Sequence, residues 1–334
     1  VCRGSEERTR DEQSRRRFKV GGEGRQAQLD LGRSEEYWFE GAGGARVHGW
    51  LYYPPGYDAS RKYPLLQLMH GGPHTMNRDA WSSRWNSQVM AAPGYVVTWV
   101  NRHGSTGFGE KFSQSILGQW GDKPLEDILK STDHLLAKLP NLDPKRMAAA
   151  GGSYGGYMAA WVAGHTDRFA ALINHAGVND FITQYGADVT SYGFTQVLGG
   201  RPWDNPEGMQ RNNPVTYARN FKTPMLIIHG EKDYRVPYDH GAAAAAIRAA
   251  GLILHIGEDH RNIGRARGRQ KPLIAGQRVF HARVKRGGGI EIGHHKINDQ
   301  KRRARAKGKA AIKGPGVILN EIGIGLGHYM MPAA

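Results

Sequence analysis

The segment Gly151-Gly152-Ser153-Tyr154-Gly155-Gly156-Tyr157 restricts what this chain can fold into more than any other stretch. Before it stands Lys145-Arg146-Met147-Ala148-Ala149-Ala150, which reads as a short buried strand. After it, Met158-Ala159-Ala160-Trp161-Val162-Ala163 reads as the start of a helix. A serine in a sharp strand-to-helix turn has its Oγ exposed to a base. Glycines must flank it, because side chains there would strike the neighbouring strand and helix. In a chain with 46 glycines, about 0.25 occurrences of Gly-x-Ser-x-Gly arise by chance. The meaning of the pentapeptide therefore rests on its surroundings.

Those surroundings are regular from Ser34 onward. Arg46–Tyr53 reads as a strand ending at Pro54-Pro55-Gly56, Tyr63–Met69 as a strand entering His70-Gly71-Gly72-Pro73, and Tyr95–Asn101 as a third entering Gly104-Ser105-Thr106-Gly107. Leu125, Ile128, Leu129, Leu135, Leu136 and Leu139 recur at helical spacing. Further strands are expected at Phe169–Asn174 and Pro224–His229, and a shortened one at Leu252–Ile256. Strands that are apolar throughout and alternate with helices predict an α/β chain, with a mostly parallel central sheet and helices on both faces.

Charge divides the chain unevenly. The net charge is +16, yet residues 261–334 hold 17 Lys and Arg against 3 Asp and Glu, whereas residues 1–260 hold 29 against 27. The basic character belongs to the tail. Its run Gln300–Lys309 is of low complexity, and its two aromatics, Phe280 and Tyr329, leave little for stacking on bases. No specific nucleic-acid partner is expected. Mean hydropathy of −0.58 is low for a compact enzyme, so part of the chain is expected not to form core. A lone cysteine, Cys2, excludes an internal disulfide. No apolar run reaches membrane-spanning length, so no membrane partner is expected. No apolar leader is visible, so a cytoplasmic location is expected, with a secreted or periplasmic form whose signal segment has been lost as the alternative. Residues 1–33 read as a flexible lead-in or the remnant of a preceding domain, 34–260 as the globular body, and 261–334 as a disordered or unrelated tail.

Four stretches carry a resemblance: His70-Gly71-Gly72-Pro73-His74, Asn101–Gly109, the Gly151–Tyr157 elbow, and His229-Gly230-Glu231-Lys232-Asp233-Tyr234-Arg235-Val236-Pro237. In this order and spacing they resemble the catalytic domain of the prolyl oligopeptidase family of serine peptidases, in particular its acylaminoacyl-peptidase and dipeptidyl-peptidase-like branch. The match runs from about Ser34 to Gly251. It implies an α/β-hydrolase fold and acyl transfer on short peptides or acylated amino acids, with no cofactor. Ser153 would be the nucleophile and Asp233 the acid that orients a histidine, in the chain order nucleophile, acid, base. The backbone N–H groups of Gly72 and Tyr154 would form the oxyanion hole. Tyr154, Tyr157, Val178, Phe181 and Val236 match positions lining the family's first specificity pocket, and suit a hydrophobic or proline-like side chain. The propeller domain that precedes the catalytic unit in this family has no counterpart in the matched residues.

The histidine is where the chain departs from the pattern. Gly257-Glu258-Asp259-His260 resembles the family's acidic turn, but comes earlier after Asp233 than the pattern requires, and the aromatic-rich closing helix gives way to Arg-Asn-Ile-Gly-Arg-Ala-Arg-Gly-Arg. His260 is the first candidate base and His255 the second; His281, His294, His295 and His328 are remote. His70 and His74 have a ligand-like spacing but no third partner, and no metal is expected. Three readings stand at this point: a peptidase, a carboxylesterase on the same fold, and a catalytically impaired relative whose basic tail binds polyanions.

Overall fold

The computed structural model describes residues 29–187, 191–241, 253–256, 278–284 and 290–296. Strands β1 (Ser34–Glu40), β2 (Arg46–Tyr52), β3 (Tyr63–Met69), β4 (Val96–Asn101), β5 (Leu142–Gly152), β6 (Ala171–His175), β7 (Met225–Gly230) and β8 (Ile253–Ile256) form one sheet. Their order is β1-β2-β4-β3-β5-β6-β7-β8. β1, β2 and β4 pair antiparallel, and every pairing from β4 to β8 is parallel. The helices are α1 (Ser87–Ala91), α2 (Glu110–Gln114), α3 (Asp122–Lys138), α4 (Tyr154–His165), α5 (Phe181–Ala187), α6 (Ser191–Leu198) and α7 (Pro206–Asn212).

Strands that are apolar at consecutive positions must bury both faces, because successive side chains point to opposite sides. Leu65, Val96, Ala149, Leu172 and Ile227 join one core, with Ile128 and Leu135 of α3 and Met158 and Val162 of α4. Their immediate neighbours Leu66, Val97, Ala150, Ile173 and Ile228 join a second core on the other face, with Ala91 of α1 and with Tyr95 and Trp99. Each Val, Leu, Ile or Met among them contributes roughly 1.5–3 kcal/mol of transfer free energy when fully buried. The expected mostly parallel sheet between two helical layers is what the structure contains.

Boundaries differ from the sequence expectation for local reasons. The strand expected from Lys145 begins at Leu142, because Leu142 pairs with Tyr63 ahead of a register shift between Tyr63 and Leu65. The helix expected from Leu125 begins a turn earlier, at Asp122. In the C-terminal region, β9 (Arg278–Val284) and β10 (Ile290–Lys296) pair antiparallel, with Val284 opposite Ile290. Among the described residues no helix is long and apolar enough to cross a membrane.

Candidate active site

The parallel strands end on one side of the sheet, and the loops that leave them there carry the candidate residues. Between β5 and α4, Ser153 has φ 57° and ψ −117° and is exposed. A non-glycine residue at positive φ is strained by about 1–3 kcal/mol, and the surrounding glycines explain how the turn is held. A Cβ on Gly155 would lie 1.9 Å from the carbonyl oxygen of Met69, and one on Gly151 would lie 2.4 Å from that of Gly155. Only glycine lets β3, β5 and α4 approach this closely. Tyr157 N–H donates to the Ser153 carbonyl at 2.9 Å. The N–H groups ahead of it, Tyr154 first, stand at the electropositive end of a twelve-residue helix.

The His70-Gly71-Gly72-Pro73 loop leaves β3 beside this turn. A Cβ on Gly71 would lie 3.0 Å from the Gly152 carbonyl oxygen and 3.4 Å from Ser153 Cβ. Gly72 has φ 121°, a conformation that favours glycine. Residues 102–106, which follow β4, fasten the loop. Arg102 Nη2 donates to the His70 carbonyl at 2.9 Å, His70 Nε2 and Ser105 Oγ are 3.0 Å apart, and Thr106 N–H donates to the Thr75 carbonyl at 3.2 Å. His74 Nδ1 donates to the Gly104 carbonyl at 3.0 Å. Burial, then the charge of Arg102, hold the His70 pKa well below the ordinary histidine range. His70 and His74 are thus spent on loop contacts, and the described residues contain no cluster of three or more metal-ligating side chains.

Asp233 lies in the turn after β7. Its Oδ1 accepts from the N–H groups of Arg235 at 3.0 Å and Val236 at 2.9 Å. Behind it, His229 Nε2 donates to the Val236 carbonyl at 2.7 Å. His240 Nδ1 accepts from Asn179 N–H at 3.1 Å and Asp180 N–H at 3.3 Å, which pins this turn to the loop that follows β6. Ser153 and Asp233 open onto one cleft of about 660 Å³, whose wall also includes Gly71, Trp85, His175 and Val236.

Of the five expected pocket residues, only Val236 is on that wall. Tyr157, Val178 and Phe181 are buried in the core behind the elbow. Tyr157 Oη donates to the Asn212 carbonyl at 3.1 Å, and its ring packs with Phe181 against Trp120. The Tyr154 side chain is buried as well, its Oη donating to the Trp120 carbonyl, and neither Tyr154 nor Gly72 is among the residues of the cleft wall. His255 lies on β8 with its backbone opposite His229. His260 and His328 lie outside the described residues, while His281 is on β9 and His294 and His295 are on β10.

The sequence reading missed three residues of this region. His175, at the end of β6, reaches the cleft; burial, then the charges of His229 and Arg84, lower its pKa, and Asp233 opposes them. Its signal was available, since ends of parallel strands next to an elbow face the site. Arg102 and Asp127 are both buried. Asp127 accepts from Ala42 N–H, His103 N–H and His103 Nδ1, each at 2.7 Å. An aspartate beside Ile128 in an apolar helical stripe was the clue to that role.

Residues 81–253 match the model of the prolyl oligopeptidase family. The chain belongs to the prolyl oligopeptidase family. It is 40% identical over 212 residues to dipeptidyl-peptidase 5 of Schizosaccharomyces pombe, covering 63% of this chain and 31% of that one. It is 36% identical over 244 residues to dipeptidyl-peptidase 5 of Porphyromonas endodontalis, covering 70% and 35%. Acylaminoacyl peptidase of Pyrococcus horikoshii has the same fold over 71% of this chain and 39% of its own, with a TM-score of 0.64 and 28% identity. An acylaminoacyl peptidase solved in complex with Z-Gly-Gly-Phe-chloromethyl ketone covers the same shares, with a TM-score of 0.65 and 29% identity. The sheet and its helices are those of the α/β-hydrolase peptidases of this family. The chain spans about a third of the length of the relatives it matches in sequence.

Proposed function

We propose that this prolyl oligopeptidase family chain is the catalytic part of a serine-type peptidase that hydrolyses short peptides or acylated amino acids through an acyl-enzyme. One observation carries the reading: an exposed serine at positive φ, on the N-terminus of α4, shares a cleft with an aspartate whose turn is fixed by backbone N–H groups. In this reading Ser153 Oγ attacks the substrate carbonyl carbon as a histidine removes its proton. The carbonyl oxygen, now an anion, accepts from the N–H groups of Tyr154 and Gly72. The C–N bond breaks as the histidine returns the proton to the leaving amine, and water then cleaves the ester by the same steps. Asp233 orients the histidine and stabilises its imidazolium. His260 is the proposed base.

A fluorophosphonate probe tests this directly. Labelling of the folded protein that disappears in Ser153→Ala, with hydrolysis of dipeptidyl or N-acyl-aminoacyl anilides lost in parallel, is the expected result. Hydrolysis of esters with no hydrolysis of anilides would favour the carboxylesterase reading. A folded protein that takes up no probe would defeat acyl transfer altogether. Replacing His255 and His260 separately then assigns the base, and His260→Ala is expected to be the inactive one.

A further inference from the structure

We infer that Arg102 is a positioning residue that holds the two proposed oxyanion donors, the N–H groups of Gly72 and Tyr154, at their working separation. The inference rests on the acyl-transfer reading above and adds a residue to it. Arg102 follows β4 directly and is only 1% exposed. Its Nη2 donates to the carbonyl of His70, two residues before Gly72, at 2.9 Å. The same guanidinium lies 4.3 Å from the centroid of the Tyr154 ring, the side chain of the residue that supplies the other donor. The Trp120 ring packs edge-on to Tyr154 at 4.8 Å, and the Trp120 carbonyl takes the Tyr154 hydroxyl. One rigid planar group therefore touches both halves of the proposed hole, which come from distant parts of the chain.

Packing alone does not account for a guanidinium here. It carries five N–H donors, and among the described residues its Nε and Nη1 have no hydrogen-bond partner. A charge buried with so few partners is unfavourable, and an apolar side chain of similar volume would often be as stable or more so beneath an aromatic ring. An apolar side chain, however, cannot hold the His70 carbonyl while it packs on Tyr154. Lysine cannot reproduce the fork and the flat face together. The contribution specific to arginine is the link between the loop after β3 and the first residue of α4.

The test compares Arg102→Met and Arg102→Lys with the parent, with every rate expressed per active site titrated by a fluorophosphonate. Arg102→Met is expected to lower per-site kcat about 10²-fold with KM little changed, as for a small misplacement of catalytic groups. A peptidyl boronate, which places an anionic oxygen in the hole, should lose affinity by the factor lost in kcat/KM, while a product dipeptide should not. Arg102→Lys should fall between parent and Met variant, and it decides alone where Arg102→Met gives no soluble protein. Fewer titratable sites with normal per-site kcat would reduce Arg102 to a folding role and overturn the inference. Equal losses of boronate and product affinity would overturn it as well. A parent that takes no probe defeats the acyl-transfer reading and the inference together. A labelled parent whose variants keep the parent's per-site kcat defeats the inference alone.

Discussion

The main-chain N–H of Ser153 donates to the carbonyl of His175 at 2.9 Å. This bond extends the parallel pairing of β5 with β6 by one residue, into the turn that exposes the serine. It also seats the elbow between two rings. A Cβ on Gly152 would lie 3.2 Å from His175 Nδ1 and 3.1 Å from Trp85 Cζ2, and these two rings meet edge to face at 5.9 Å. Strain at Ser153 is thus opposed from the strand before it, the strand beside it and the helix after it.

Two glycine substitutions should separate structural from functional crowding. In Gly155→Ala the new methyl meets a backbone carbonyl at 1.9 Å, which has no freedom to move aside. Loss of about 3 kcal/mol or more is expected in urea unfolding, at the upper end for overpacking. In Gly152→Ala the obstacles are side chains at more than 3 Å, which can give way. Stability should fall by about 1 kcal/mol, while kcat falls by roughly tenfold as the cleft wall moves. Equal loss of stability in the two variants would mean that the elbow is not packed as described.

Asp127 should be among the least replaceable side chains away from the cleft. It gathers three donors, from Ala42 and twice from His103, at 2.7 Å each. Asp127→Ala leaves them unpaired in the core and is expected to reduce stability by about 3–5 kcal/mol. Asp127→Asn keeps an acceptor and should lose less. Chemical denaturation of both variants checks the ranking, and a harmless alanine would show that these groups are solvated in solution.

Why the elbow, the sheet and the Asp233 turn were legible in the sequence, while the network behind them was not, follows from the range of the interactions. Glycine spacing around Ser153 and unbroken apolar runs such as Met225–Ile228 are local signals, and the structure honours both. The side of a helix that faces a cleft is not local. Tyr157 and Phe181 lie near the elbow, yet Trp120, from an earlier part of the chain, draws their rings into the core. The link between Arg102 and Tyr154 spans 52 positions, and no period or composition marks it. Asp233 could be placed by its motif, but the histidines behind its turn depend on a partner, Asn179, in another loop.

That histidine contact sets an expected pH dependence. Two backbone N–H groups donate to His240 Nδ1, so the neutral ring carries its proton on Nε2, and a second proton would displace those donors. Burial, then the neighbouring His229, lower the His240 pKa to about 4, against the opposing charges of Asp180, Asp239 and Asp233. Between pH 6.5 and 4 the unfolded chain binds a proton at this residue that the folded chain does not. The stabilisation is therefore complete above about pH 6.5 and is lost as pH falls toward 4, by about 3 kcal/mol in all. In His240→Asn the amide oxygen can take the same two N–H groups without titrating. Urea midpoints at pH 7.5, 5.5 and 4.5 should converge for the two proteins as pH falls, because only the parent loses this term. Parallel pH profiles would show that His240 does not titrate differently in the folded and unfolded chains.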